Sequence, residues 1–203
     1  MKTNSVIQCK DFPCLDTRRE SYLVPGMNID PAKVSILLIS EAAPVNPEDY
    51  YYAGANALFA QTTLLAFQDA GAIVESVQDI LNLGVYLTTA VKCGKTGYGI
   101  ATATIQNCSH LLEKEIARFP NVKVYLLMGD VAIKAVNMIA KRNGEPRVIP
   151  AGSTYKIRGG EFTFRGARAL PSYVQAGPAF FVEKSKRKMI AEDVRKALEL
   201  AEN

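Results

Sequence analysis

Val34-Ser35-Ile36-Leu37-Leu38-Ile39-Ser40-Glu41 is an apolar run interrupted only near its ends, and it closes on a polar pair. A strand buried on both faces has this pattern, because neither side of the pleat meets water. Similar runs occupy Val85–Val91 and Val122–Met128, with a shorter one at Ala167–Leu170. Helical patterns separate them. Ala57–Ala70 carries Leu58, Leu64, Leu65 and Phe67 at near-helical spacing and meets Gly71, a C-terminal cap. Thr104–Phe119, Asp130–Arg142 and Val182–Ala201 read as amphipathic helices, the second stopped by Asn143-Gly144.

Alternation of strand and helix predicts a three-layer α/β/α sandwich around a central, mainly four-stranded parallel sheet, with ligands met at the carboxyl ends of the strands. One departure is expected: Lys156-Ile157-Arg158 and Phe162-Thr163-Phe164 flank Gly159-Gly160 and read as a hairpin. No repeat, low-complexity tract or Pro-rich linker divides the chain, so residues 1–203 read as one domain.

Of the 203 residues 48% are hydrophobic, enough for one well-filled core, and the formal charge of +4 is only mildly basic. Charge alone does not establish a nucleic-acid partner. No stretch reaches the roughly 18 apolar residues of a membrane span, and Met1–Lys10 lacks the apolar core of a secretory signal, so the expected location is the cytoplasm. In that reducing compartment the four cysteines are not expected to be disulfides.

Four residues separate Cys9 from Cys14 and fourteen separate Cys93 from Cys108, with strand and helix between the pairs. Thiolates ligate zinc and iron–sulfur clusters alike, and free cysteine is also a small hydrophobe, so spacing alone leaves metal ligation and plain burial open.

Further motifs follow in order. Ser40-Glu41-Ala42-Ala43-Pro44 ends the first strand and resembles a Gly-Glu-Ala-Pro-Gly loop with one residue inserted. Glu48-Asp49 comes next, and Tyr51-Tyr52-Ala53-Gly54 is similar to Pro-Phe-Val-Gly. Leu87-Thr88-Thr89-Ala90-Val91-Lys92-Cys93 resembles Ile-Thr-Asn-Val-Val-Lys-Cys. Met128-Gly129-Asp130-Val131-Ala132-Ile133-Lys134-Ala135 resembles Leu-Gly-Ala-Thr-Ala-Ala-Lys-Ala, and Leu170-Pro171-Ser172 stands where His-Pro-Ser would be. Together, from Cys9 to Ser172, they resemble the iron–sulfur, family 4 class of the uracil-DNA glycosylase superfamily.

The resemblance implies a single uracil-DNA glycosylase-like domain that hydrolyses the N-glycosidic bond of uracil or another altered base in DNA, with a [4Fe–4S] cluster on Cys9, Cys14, Cys93 and Cys108. DNA, single-stranded or damaged, is the implied partner; no membrane is involved, and the protein is expected to be a monomer. Glu41 takes the catalytic position, where a carboxylate orients water or stabilises an oxocarbenium-like sugar. Ala42, Pro44, Tyr52, Thr89, Leu170 and Ser172 take the base-binding positions, with the Tyr52 ring as stacking surface and Ser172 as a phosphate contact.

Two departures stand out. Thr89 replaces an asparagine whose amide would read uracil, and a hydroxyl meets that need only in part. Leu170 replaces the histidine that would stabilise the leaving base. His110, the sole histidine, falls on a helix beside Cys108 and reads as a packing or solvent-facing residue. Lys92 and Lys95 are candidates for the DNA backbone. Gly94-Lys95-Thr96-Gly97-Tyr98-Gly99 lacks P-loop spacing, and the run Lys184, Lys186, Arg187, Lys188, mixed with acids, reads as a solvated helix face. The alternatives are a non-catalytic iron–sulfur nucleic-acid-binding protein of the same fold and, more remotely, a four-cysteine zinc protein acting on a small nucleobase or nucleotide.

Overall fold

The structure, a computed structural model, describes residues 7–26 and 29–202. In chain order the elements are β1 (Thr17–Arg18), β2 (Ile36–Ala43), α1 (Leu58–Asp69), α2 (Val77–Asn82), β3 (Val85–Lys95), α3 (Thr102–Ile116) and β4 (Val124–Met128). They continue with α4 (Asp130–Arg142), α5 (Thr154–Ile157), β5 (Phe162–Phe164), β6 (Ala167–Ser172), α6 (Ala179–Val182) and α7 (Lys184–Glu202). The strands lie in the order β1-β3-β2-β4-β6-β5, the inner four parallel and the two short edges antiparallel. The three-layer α/β/α sandwich and its four-stranded parallel centre are therefore as expected.

The layers follow from the two-residue period of the strands. Leu37 and Ile39 of β2, with Tyr125 and Leu127 of β4, pack against α3 and α4 on one face. Ile36, Leu38, Val124 and Leu126 pack against α1, α6 and α7 on the other. Because both faces are covered, both residue sets are apolar.

Three local readings change. The Tyr155–Phe164 hairpin is not formed: Thr154–Ile157 is one helical turn, and Phe162–Phe164 instead pairs with β6 across Arg165-Gly166, where positive φ at both residues (51° and 80°) makes the reversal. The last helix is two, because Glu183 (ψ 70°) leaves the helical region between α6 and α7. The first strand begins at Ile36, after a 3-10 turn over Pro31–Lys33 capped by Asp30. Helix α2 was not anticipated, although Ser76 and Asp79 form a reciprocal capping box at its start.

Candidate functional site

Chain order and spatial order diverge at β2. The chain runs from β2 to its neighbour β3, then crosses to β4 on β2's other side. In a doubly wound sheet the crevice beyond the carboxyl ends at such a switch point is where ligands are met. Glu41 stands there. Its carboxylate lies at the amino end of α4, with the Val131 N–H donating to Oε1 over a long 3.5 Å.

Gly129 makes the approach possible. It holds a φ of +95° at the β4–α4 junction, and a side chain there would put its Cβ 2.6 Å from Glu41 Oε1. A glycine is required by both conformation and space.

Ser40, Glu41, Ala42, Ala43, Val45, Phe59, Lys95, Val174 and Ala176 enclose a cleft of about 130 Å³. That is below the ~300 Å³ at which drug-sized sites begin, and suits one planar group rather than a whole nucleotide. Glu41 and Lys95 are its two ionisable side chains, and Phe59 gives it an aromatic wall. Beneath it lies a closed polar ring: Tyr51 donates to Ser40 Oγ (2.6 Å), Ser40 donates to Gln175 Oε1 (2.9 Å), and the Gln175 amide donates back to Tyr51 Oη (3.1 Å) and to Thr63 (3.3 Å). Burial pushes the Tyr51 phenol up, so the ring stays neutral and fully paired.

The expected site residues divide. Glu41 and Ala42 line the cleft, and Pro44 is buried at its edge, with its carbonyl close against Gly94. Tyr52 does not join them. Its hydroxyl accepts from the Leu87 N–H (3.2 Å) and donates to the Leu87 carbonyl (2.9 Å), covering an open stretch of the β3 edge, and its ring walls a separate cavity with Tyr51, Gln61 and Leu64.

Thr89 is fully buried, registered beside Ser40, and its hydroxyl has no hydrogen-bond partner among the described residues. Leu170 lies in the apolar cluster facing α1 and α7. Ser172 is buried and donates to Asp193 Oδ2 (2.6 Å), which makes it a clamp between β6 and α7 rather than an open phosphate contact. Arg158 closes the same clamp on Asp193 (2.8 Å).

Lys92 is likewise not available to a DNA backbone. It is buried in an ion pair with Glu115, which also accepts from Tyr86 (2.8 Å) and Thr88 (3.0 Å). His110 is exposed on α3. In the basic run, Lys186 pairs with Glu183 and Arg187 with Asp69, as befits a solvated face. Phe59 and Gln175 carry no sequence signal, because only the tertiary fold brings them under Glu41.

At the far end of β3 the four cysteines converge. Cys9, Cys14, Cys93 and Cys108 line one small cavity with Phe12, Thr17, Arg19 and Tyr22. Burial pushes the Cys93 thiol up to about 12, and the neighbouring Cys108, Cys9 and Cys14 add to the effect. Burial also raises Cys108, against a hydrogen bond from the Lys92 backbone. Burial and the neighbouring sulfurs thus disfavour the thiolate at Cys93 and Cys108 unless a cation is bound among them. Among the described residues no group of three or more His, Cys, Asp or Glu side chains is placed to hold a metal ion.

A mainly parallel sheet with a carboxylate at its switch point and an aromatic wall beside it defines an α/β protein with a candidate ligand cleft at its strand ends. A sequence profile described as the uracil DNA glycosylase superfamily matches residues 28–195. The chain belongs to that superfamily. No curated protein matches the sequence. Among solved structures, the wild-type UNG of Nitratifractor salsuginis is similar over 84% of this chain and 75% of its own, at 13% identity and a TM-score of 0.40. Among the described residues no helix is long and apolar enough to cross a membrane.

Proposed function

We propose that the protein is a monofunctional DNA glycosylase that hydrolyses the N-glycosidic bond of uracil or another altered base at the Glu41 cleft. The observation that carries the reading is Glu41 itself: a half-buried carboxylate at the switch point, facing a cleft sized for one base. A flipped base enters beside Phe59. As the C1′–N bond breaks, its electron pair leaves with the base, and Glu41 stabilises the cationic sugar and orients the incoming water. Water gives its hydroxyl to C1′ and its proton to the base. Lys95, the cleft's cation, faces the charge that develops on the leaving base, a task for which Leu170 is unsuited.

The cysteine cavity supports a [4Fe–4S] cluster, and with it the iron–sulfur class of the superfamily. Four cysteine sulfurs on one cavity are the donor number of a [4Fe–4S] cluster and equally of a structural zinc ion, and the motif order favours the cluster. Cys9, Cys14, Cys93 and Cys108 would hold the cluster, and it supplies a cross-link between the N-terminal segment, β3 and α3. Iron and acid-labile sulfide in anaerobically purified protein support this assignment; stoichiometric zinc in a colourless protein overturns it.

A second reading is favoured by the burial of Leu170 and the absence of any histidine from the cleft lining: a non-catalytic iron–sulfur DNA-binding protein of the same fold. Single-turnover incubation with oligonucleotides carrying uracil, hypoxanthine, xanthine or thymine mismatches, followed by alkali, separates the two. Strand cleavage establishes the glycosylase and names its base. DNA binding without cleavage establishes the second reading.

A further inference from the structure

The segment that leaves β3 crosses the cysteine-bearing segment and is pinned to it at both ends. Thr17 and Arg18 pair with Lys95 and Gly94, and the Thr96 N–H donates to the Asp16 carbonyl (3.0 Å). The Asp16 carboxylate then holds the far end, accepting from the Ala101 N–H (2.6 Å) and the Thr104 hydroxyl (2.5 Å). Between these anchors the chain turns through Gly97-Tyr98-Gly99, with open space around both glycines.

Two apolar side chains are held out here. Tyr98 is 106% exposed and Leu15, next to Asp16, is 99% exposed. Single exposed apolar residues are common and need no explanation. These two differ because a doubly anchored loop presents Tyr98, Leu15 precedes the anchoring Asp16 on the crossing segment, and the two segments carry Lys10, Arg18, Arg19 and Lys95 against the exposed acids Asp11 and Glu20. Asp16 is taken up by its two hydrogen bonds. Lys95 joins the loop to the cleft, since it lines the Glu41 cavity and its ammonium donates to the Tyr98 carbonyl (3.3 Å).

We propose that Tyr98 and Leu15 form a stacking tip that receives an unpaired DNA base while the strand lies across the Glu41 cleft. The inference rests on the DNA reading above and adds a surface to it. An aromatic ring beside cations is the arrangement that binds single strands with little sequence preference, because every base has a π-face. A tip clamped by the segment carrying Cys14 also links the cysteine cavity mechanically to DNA docking.

Fluorescence anisotropy of the full-length, metal-replete protein with a labelled single strand and its matching duplex tests the tip. Tyr98→Ala is expected to weaken single-strand binding roughly tenfold or more, Leu15→Ser less, and Tyr98→Phe not at all. The salt dependence of binding stays as in the wild type, since no phosphate contact is removed. Wild-type affinity in Tyr98→Ala, with binding measurable, overturns the tip and leaves the DNA reading standing. Failure of the wild type to bind either DNA overturns both. A dimer in size-exclusion chromatography that Tyr98→Ala dissolves without changing DNA affinity assigns the tip to self-association and overturns the proposal.

Discussion

The carboxyl ends of β2 and β6 both carry motif residues, yet they meet opposite fates. At β2, Ser40 turns into the buried polar ring that reaches Thr63 of α1, and one residue later Glu41 turns to the other face and opens onto the cleft. At β6, Leu170 and Ser172 are both buried on the face of α1 and α7, one in the apolar cluster and the other bound to Asp193. The difference teaches that likeness of motif and availability for chemistry are separate properties. A strand alternates faces residue by residue, and a helix lying over one face removes every second side chain from use.

The largest effect expected on the closed end comes from Leu170→His. A histidine there is an imidazole buried in an apolar cluster, and the expected loss is about 2–4 kcal/mol in urea unfolding with no gain in excision. A stable variant with new activity would show that β6 reaches the cleft after all.

Ser172→Ala comes next. It removes a hydrogen bond to the buried Asp193 carboxyl, which burial raises and which the Arg158 and Ser172 hydrogen bonds hold back. The predicted destabilisation is about 2 kcal/mol, measured by the same unfolding curves, with DNA affinity unchanged. Weakened DNA binding at unchanged stability would return Ser172 to the phosphate role.

The smallest effect is a pH dependence at Glu113 of α3, which ties the end of α4 to the β5–β6 turn. Burial raises the Glu113 carboxyl, but hydrogen bonds from Arg142, Asn143 and Arg165 outweigh it and hold the group at about 2 against an ordinary 4.5. The folded state therefore binds this proton less readily than the unfolded chain. The stabilisation is full above about 4.5 and fades as pH falls toward 2. Glu113→Gln should flatten that part of the stability–pH curve; an unchanged slope would remove Glu113 as its source.

Much of the architecture was legible in the sequence because buried parallel strands are written as continuous apolar runs, and Asp130–Arg142 even keeps its boundaries. The β5–β6 hairpin was misplaced because Gly159-Gly160 is the stronger turn signal by composition, whereas the reversal uses Arg165 in a left-handed conformation. Glu41 was legible as the residue that ends a core strand. The position of Tyr52 was not: its hydroxyl covers the open edge of β3 at Leu87, a demand set by strand order that no local pattern reveals. The cysteines were legible as two pairs, and the cavity that unites them exists only once β3 and α3 are packed.

The most direct test sets the two strand ends side by side in one single-turnover excision assay on the preferred base, comparing Glu41→Gln with Ser172→Ala at matched folded fractions. Glu41→Gln is expected to lose roughly 100-fold or more in rate with its unfolding curve unchanged, while Ser172→Ala keeps the wild-type rate. Full activity in Glu41→Gln, or a collapse confined to Ser172→Ala, would contradict the placement of the chemistry at β2.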